Sequence, residues 1–226
     1  MDARRLIADL QAARERTRHV ADDLGGEREL GPKLPIVNPP RWEVGHVGWF
    51  QEWWCLRGAS ESRPSILPNA DRLYNSASVA HDTRWSLPLP SFADTLAYRD
   101  QVLARLVDRL NSGADDKAAY FAGLAARHEE MHAEAFSYTR QTLGYPAPTG
   151  QGSLQARSAD GEDAELPGGA FSMGAKSDAE FAFDNEKWIE RITLQRPGHV
   201  LLREQITIGG ETEVHAQAAG QLQRLE

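Results

Sequence analysis

The stretch DDKAAYFAGLAARHEEMHAEAFSYTRQTLG, residues 115–144, decides the fold. Phe121, Leu124, Ala125, His128, His132, Ala135, Phe136, Thr139 and Leu143 fall on one stripe when the chain is wound at 3.6 residues per turn. The pattern predicts a helix from about Asp115 to Leu143, ended by Gly144 with Pro146 beyond. Its apolar stripe carries two histidines four residues apart. A long helix with such a face needs other helices to cover it.

Those helices can be read outward from it. Leu6, Leu10, Ala13, Thr17, Val20 and Leu24 form one stripe with Arg and Asp placed opposite, and Gly25-Gly26 closes that helix. Pro32, Pro35, Pro39 and Pro40 then mark a loop. A second helix is expected to open at Pro39-Pro40 with Asn38 as its cap, and to run to Gly58. From Ala59 to Pro90 the chain is irregular and proline-rich, too long for a mere connection. A further helix starts at Ser91, with Asp94 in a variant of the capping box. Leu96, Leu103, Leu106 and Leu110 form its face, and Asn111-Ser112-Gly113 closes it. Four helices with one long crossover make a four-helix bundle.

Residues 146–165 are rich in Pro, Gly, Ser, Gln and Ala and read as a linker. Short β-type runs such as Glu190-Arg191-Ile192-Thr193-Leu194 follow from Leu166 onward. The fold class is therefore mainly α, a helical bundle followed by a partial α+β segment. A length of 226 residues accommodates one large domain, or one domain and part of another. Charge narrows the role. With 25 basic and 33 acidic residues the net charge is −8, which argues against nucleic acid as the main partner. No apolar run reaches transmembrane length, and the charged N-terminus has no signal-peptide core. Cys55 stands alone, so no internal disulfide forms and a cytoplasmic location is the expectation.

His128-Glu129-Glu130-Met131-His132 carries the chemistry. Histidines at i and i+4 stack on one helix face and can reach a shared ion. Two ordinary buried histidines would each need a separate hydrogen-bond partner, whereas one metal serves both. A third imidazole is available in the second helix, where Trp42, His46, Trp49, Trp53 and Leu56 share a stripe. Three neutral imidazoles with open positions beside them suit a non-haem iron centre that activates dioxygen. His81 in the crossover is a spare candidate, His19 a surface residue, and His199 and His215 have no assigned role. Trp49 and Trp53 read as core. Trp54 lies beside the stripe, where it is able to line a cavity or hold a trimethylammonium group by a cation–π contact. Glu129, Glu130 and Glu134 either partner the histidines or form a solvated face.

His-Glu-x-x-His is also the zincin signature, with the glutamate as general base. The metzincin extension requires a glycine and a further histidine, but Ala133-Glu134-Ala135-Phe136 follows. The gluzincin pattern needs a glutamate on a later helix, and the linker composition begins soon after Leu143. A zinc hydrolase and a catalytically silent metal-binding module stand as the alternatives to an iron enzyme.

Three separated segments carry a resemblance. NPPRWEVGHVGWFQEW (38–53) is similar to the first ligand helix of the ergothioneine-type sulfoxide synthases, and HEEMH (128–132) to their second. LPGGAFSMG (166–174), followed by FDNE (183–186), resembles the beginning of their formylglycine-generating-enzyme-like domain. The resemblance covers roughly residues 1–195. It implies a DinB-like helical metal-binding bundle over 1–145, the linker 146–165, and a truncated or diverged formylglycine-generating-enzyme-like domain over 166–226. It further implies an Fe(II)- and O2-dependent oxidoreductase joining a sulfur or selenium donor to hercynine, with His46, His128 and His132 as the iron ligands. The segments around Gln51–Arg57 and Asn75–Pro88 look most like the selenoneine synthase branch, whose donor is a selenosugar rather than a thiol. On that reading Arg84 is a candidate donor contact, with a structural role in tying down the crossover as the alternative. The run from Pro197 to Glu226 does not resemble the family's continuation.

Overall fold

A computed structural model of the chain describes residues 2–113, 115–148, 164–166, 169–176, 179–187, 190–194, 198–200, 206–208 and 211–213. The helix that opened the sequence argument is α5, Asp116–Leu143. The Asp115 carboxylate accepts from the Ala118 amide at 2.7 Å and supplies its N-cap. Gly144 ends it in the left-handed conformation, φ 65°, which costs glycine little. Three more long helices precede it: α1 (Ala3–Ala21), α2 (Pro40–Gln51) and α4 (Phe92–Asn111), with a short α3 (Ala70–Tyr74) inside the crossover. Helix α1 lies along α5, and α2 packs on α4 and also reaches α5.

Packing follows from small residues facing large ones. Ala119, Ala122, Ala125 and Ala126 of α5 let Leu6 and Leu10 of α1 approach closely, and Leu106 and Leu110 of α4 complete that cluster. Burying each such leucine stabilises the fold by about 1.5–3 kcal/mol. Glycine works the same way on α2. A side chain at Gly45 would stand 2.2 Å from the Tyr74 ring, so only glycine admits α3 at that distance.

Two expectations about α2 change. Asn38 is not its cap: the N-terminal turn has no side-chain cap and relies on Pro40 at its first position. The Asn38 Oδ1 instead accepts from Arg84 Nη1 at 2.6 Å. Nor does the regular helix reach Gly58. It passes at Glu52 into a π-helical turn, Glu52–Leu56, in which the Arg57 amide bonds to the Glu52 carbonyl. The Glu52 carboxylate is buried and accepts from Tyr98 Oη, Ser65 Oγ and the Ile66 amide, at 2.5–2.6 Å. The crossover is thus stapled to α2 and α4 rather than lying loose above them.

The chain divides into two compact units, residues 1–151 and 152–226. In the second, β1 (Ala164–Leu166) pairs antiparallel with β4 (Gly198–Val200). Likewise β2 (Gly169–Met173) pairs with β3 (Glu190–Leu194), and β5 (Ile206–Ile208) with β6 (Glu211–Glu213). The β-type run at residues 190–194 is therefore a strand. Most of the expected linker, from residue 149 to 163, lies outside the described residues, as does His215. Among the described residues no helix is long and apolar enough to cross a membrane.

Candidate metal centre

His46 from α2 and His128 and His132 from α5 meet at one point, each offering a ring nitrogen within 4.8 Å of the other two. The ring centroids lie 5.2 Å (His46–His128), 5.1 Å (His46–His132) and 4.5 Å (His128–His132) apart. Each ring is aimed by a neighbour. His46 Nδ1 lies 2.8 Å from the Tyr74 carbonyl, which can only accept, so Nδ1 carries the proton and Nε2 is left with its lone pair. His132 Nδ1 likewise donates to Glu43 Oε1 at 2.7 Å. That carboxylate–histidine pairing fixes the tautomer and makes Nε2 a better ligand. His128 is placed by packing instead, its ring stacked on Phe50 with centroids 3.6 Å apart and planes 7° from parallel.

These groups fit a divalent cation. His128 Nε2 faces His132 Nε2 at 3.3 Å, so one hydrogen at most can lie between them. His128 Nδ1 is buried without a partner, so moving its proton from one ring nitrogen to the other leaves an unmet group in either case. A cation shared by the ring nitrogens gives each Nε2 lone pair a partner. Burial, and then the neighbouring His132, push the His46 pKa down to about 3 and keep that ring a neutral donor. Burial and the two other imidazoles hold His128 well below its ordinary value. The donor set is neutral nitrogen, which suits zinc, iron, copper or nickel rather than magnesium or calcium.

The other sequence candidates take different places. His81 Nε2 is engaged by the Val37 carbonyl at 2.8 Å, and its ring meets Trp85 edge-on, away from the cluster. His19 is exposed. Arg84 lies over the Trp42 ring at 3.8 Å and bonds Asn38 and the Val79 carbonyl, so it does tie the crossover to the start of α2. Its Nε is buried without a partner. Trp54 is half-buried and stacks on Phe121 at 5.0 Å; Phe50 stands between it and His128. The three glutamates separate cleanly. Glu129 is buried against Arg14, Glu130 pairs with Arg16 at the surface, and Glu134 is exposed. None of the three orients a histidine.

That task falls to Glu43, which sequence reasoning missed. The signal was present, since Glu43 precedes His46 by three residues and so shares its face of α2. Phe50, four residues after His46, carries the same signal. The Tyr74 carbonyl carries none, because a backbone acceptor is invisible in side-chain identities.

Comparison with known proteins agrees with this geometry. Residues 9–136 match the DinB superfamily. A hercynine oxygenase of Mycolicibacterium smegmatis is 31% identical over 214 residues, covering 89% of this chain and 46% of that protein. Hercynine oxygenases of Mycolicibacterium thermoresistibile and Mycobacterium tuberculosis are each 30% identical over 131 residues, 57% of this chain and 29% and 30% of theirs. The chain thus spans less than half the length of these curated relatives. The family match covers α2, most of α5 and all three clustered histidines: the chain belongs to the DinB superfamily.

Proposed function

We propose that this chain forms the metal-binding part of an Fe(II)- and O2-dependent enzyme that joins sulfur or selenium to hercynine. The observation that carries the reading is the convergence of the His46, His128 and His132 ring nitrogens within 4.8 Å. The similarity to hercynine oxygenases supplies the substrate class. Iron, when bound, contributes Lewis acidity and redox chemistry with dioxygen.

The chain's own residues do the rest. His46, His128 and His132 hold the ion. Glu43 and the Tyr74 carbonyl each take the Nδ1 side of one ring and leave its Nε2 facing the ion. Phe50 covers one face of His128 and keeps water from it. In the same reading Trp54 contacts the trimethylammonium group and Arg84 contacts the donor, its buried unpartnered Nε giving it a bond to offer. The selenoneine branch, with a selenosugar donor, follows from the segments at 51–57 and 75–88. The assignment of 1–145 to the bundle, 146–165 to a linker and 166–226 to a formylglycine-generating-enzyme-like domain belongs to the proposal too.

The zinc-hydrolase reading loses its base. Glu129, which would have to polarise the attacking water, spends both oxygens on Arg14 at 2.6 and 3.2 Å. Anaerobic titration of the purified chain is expected to give one Fe(II) per chain, and none in His128→Ala. Unchanged iron binding in that variant overturns the ligand assignment. An aerobic assay with hercynine and thiol or selenosugar donors then tests the reaction. Product formation supports it, and a chain that binds iron without forming product is instead the silent metal-binding module.

A further inference from the structure

Aromatic rings extend from the histidine cluster in two directions, and the two rows differ in chemistry. On the α2 side Trp42 stacks on His46 with centroids 5.0 Å apart and planes 8° from parallel. His46 continues to Trp49 at 5.9 Å, and Trp49 to Trp53 at 5.6 Å, with planes 26° and 22° apart. On the α5 side His128 stacks on Phe50, which leads to Trp54 and Phe121. An indole gives up an electron far more readily than a phenyl ring. The Phe50 row sets a phenyl ring against its histidine, whereas the tryptophan row is open, with indoles stacked directly on His46.

The charges along the open row are uneven. Arg84 lies 3.8 Å over Trp42 and Arg57 lies 4.9 Å over Trp53, and a cation on an indole face opposes removal of an electron from it. Trp49 has no cation over its ring among the described contacts. Its Nε1–H donates to Asp71 Oδ1 at 2.7 Å, and a carboxylate on that hydrogen favours loss of an electron and accepts the proton released. The same carboxylate is held by Arg57 through both oxygens, at 2.6 and 2.8 Å, so its position is fixed. Trp53, the outer member, is half-buried, whereas Trp42 and Trp49 are buried.

We propose that Trp49 is the electron donor of a protective route that discharges a one-electron oxidant formed from dioxygen beside the three histidines when no substrate is in place. This rests on the iron-and-dioxygen reading above. Trp49 loses one electron through the stacked His46 ring, and the oxidant is reduced by one electron. The Nε1 proton passes to Asp71, leaving a neutral tryptophanyl radical. An external thiolate then returns one electron to Trp49 across the stacked Trp53 ring, which stays closed-shell, and the proton comes back from Asp71. Two thiyl radicals so formed pair as a disulfide.

The test uses the full chain loaded with Fe(II) and exposed to dioxygen without hercynine. Samples frozen over time are read by electron paramagnetic resonance, and the digested protein by peptide mass spectrometry. The expected result is a tryptophanyl radical, with added oxygen found at Trp49 and not at Trp54. Trp49→Phe loses the signal while still binding iron and consuming dioxygen. Trp85→Phe, whose indole is outside the row, keeps it. Asp71→Asn retains Trp49 but shifts the radical away from it. A signal that survives Trp49→Phe overturns the proposal, as does wild-type protein that binds iron and consumes dioxygen with no tryptophan oxidised. Iron binding without any dioxygen uptake overturns the iron-and-dioxygen reading, and the route with it.

Discussion

Two polar clusters are buried in this bundle within one turn of α5, and they are built on opposite principles. His128 faces His46 and His132, with three ring nitrogens gathered at one point and the His128 Nδ1 buried without a partner. Glu129, the next residue, faces Arg14, which also bonds Gln51, the Asp100 carboxylate and the Arg99 carbonyl. There each charge meets an opposite one inside the protein. The first cluster has room for a shared cation among its ring nitrogens, and in the second the Arg14 and Glu129 charges satisfy each other, although the Gln51 Nε2 is buried without a partner. A buried polar group thus marks a binding site when its partners compete with it, and marks architecture when they satisfy it. Glu130 adds a third situation, an ion pair with Arg16 that both partners leave largely in water.

Breaking each in turn should separate the three. His128→Ala is expected to abolish Fe(II) binding without destabilising the metal-free fold, because it removes a buried group that has no good partner. Iron titration beside thermal melts in chelator checks both halves. Glu129→Ala is expected to destabilise the fold by about 3 kcal/mol, since Arg14 is left buried with only part of its compensation. Urea unfolding measures that, and a loss below 1 kcal/mol would show the network to be dispensable. Glu43→Gln keeps the shape but not the charge beside His132, and should weaken Fe(II) affinity roughly 10-fold with little change in melting temperature. Glu130→Ala should change stability by about 0–1 kcal/mol and leave iron binding unaffected. Equal effects from the Glu129 and Glu130 substitutions would erase the distinction between buried and exposed pairing.

Much of this arrangement could be read from residue identities where the signal is local. Ser91, Asp115 and Gly144 mark helix ends by their own hydrogen bonds or backbone angle, and all three do so. The meeting of the three histidines is foreshadowed by their places on the apolar stripes of two different helices, His46 on α2 and His128 and His132 on α5. What escaped depends on partners far along the chain. The sequence pattern sets the Arg and Asp residues of α1 opposite its apolar stripe, yet Arg14 is 1% exposed. Its spacing from Leu10 and Thr17 fits the buried stripe, but an arginine there makes sense only once Glu129 is known to face it. Asn38 has the chemistry of a cap and was taken from that task by Arg84, a residue of the crossover. The π-helical turn has no periodic signature because it is a single widened turn. It is settled by where Glu52 finds its three donors.

The bond from His46 to the Tyr74 carbonyl carries a consequence for how the protein is made. The first histidine is aimed by a backbone group 28 residues later, and its two companions emerge from synthesis only with the last long helix. No short segment of the chain holds all the parts, so an ion has nothing to organise until the crossover has been threaded and the helices have closed. A zinc finger, which is unfolded until its metal arrives, follows the reverse order. On the metal-binding reading proposed above the order is folding first and loading last, so the metal-free chain is expected to remain folded in chelator rather than to unfold with loss of the ion.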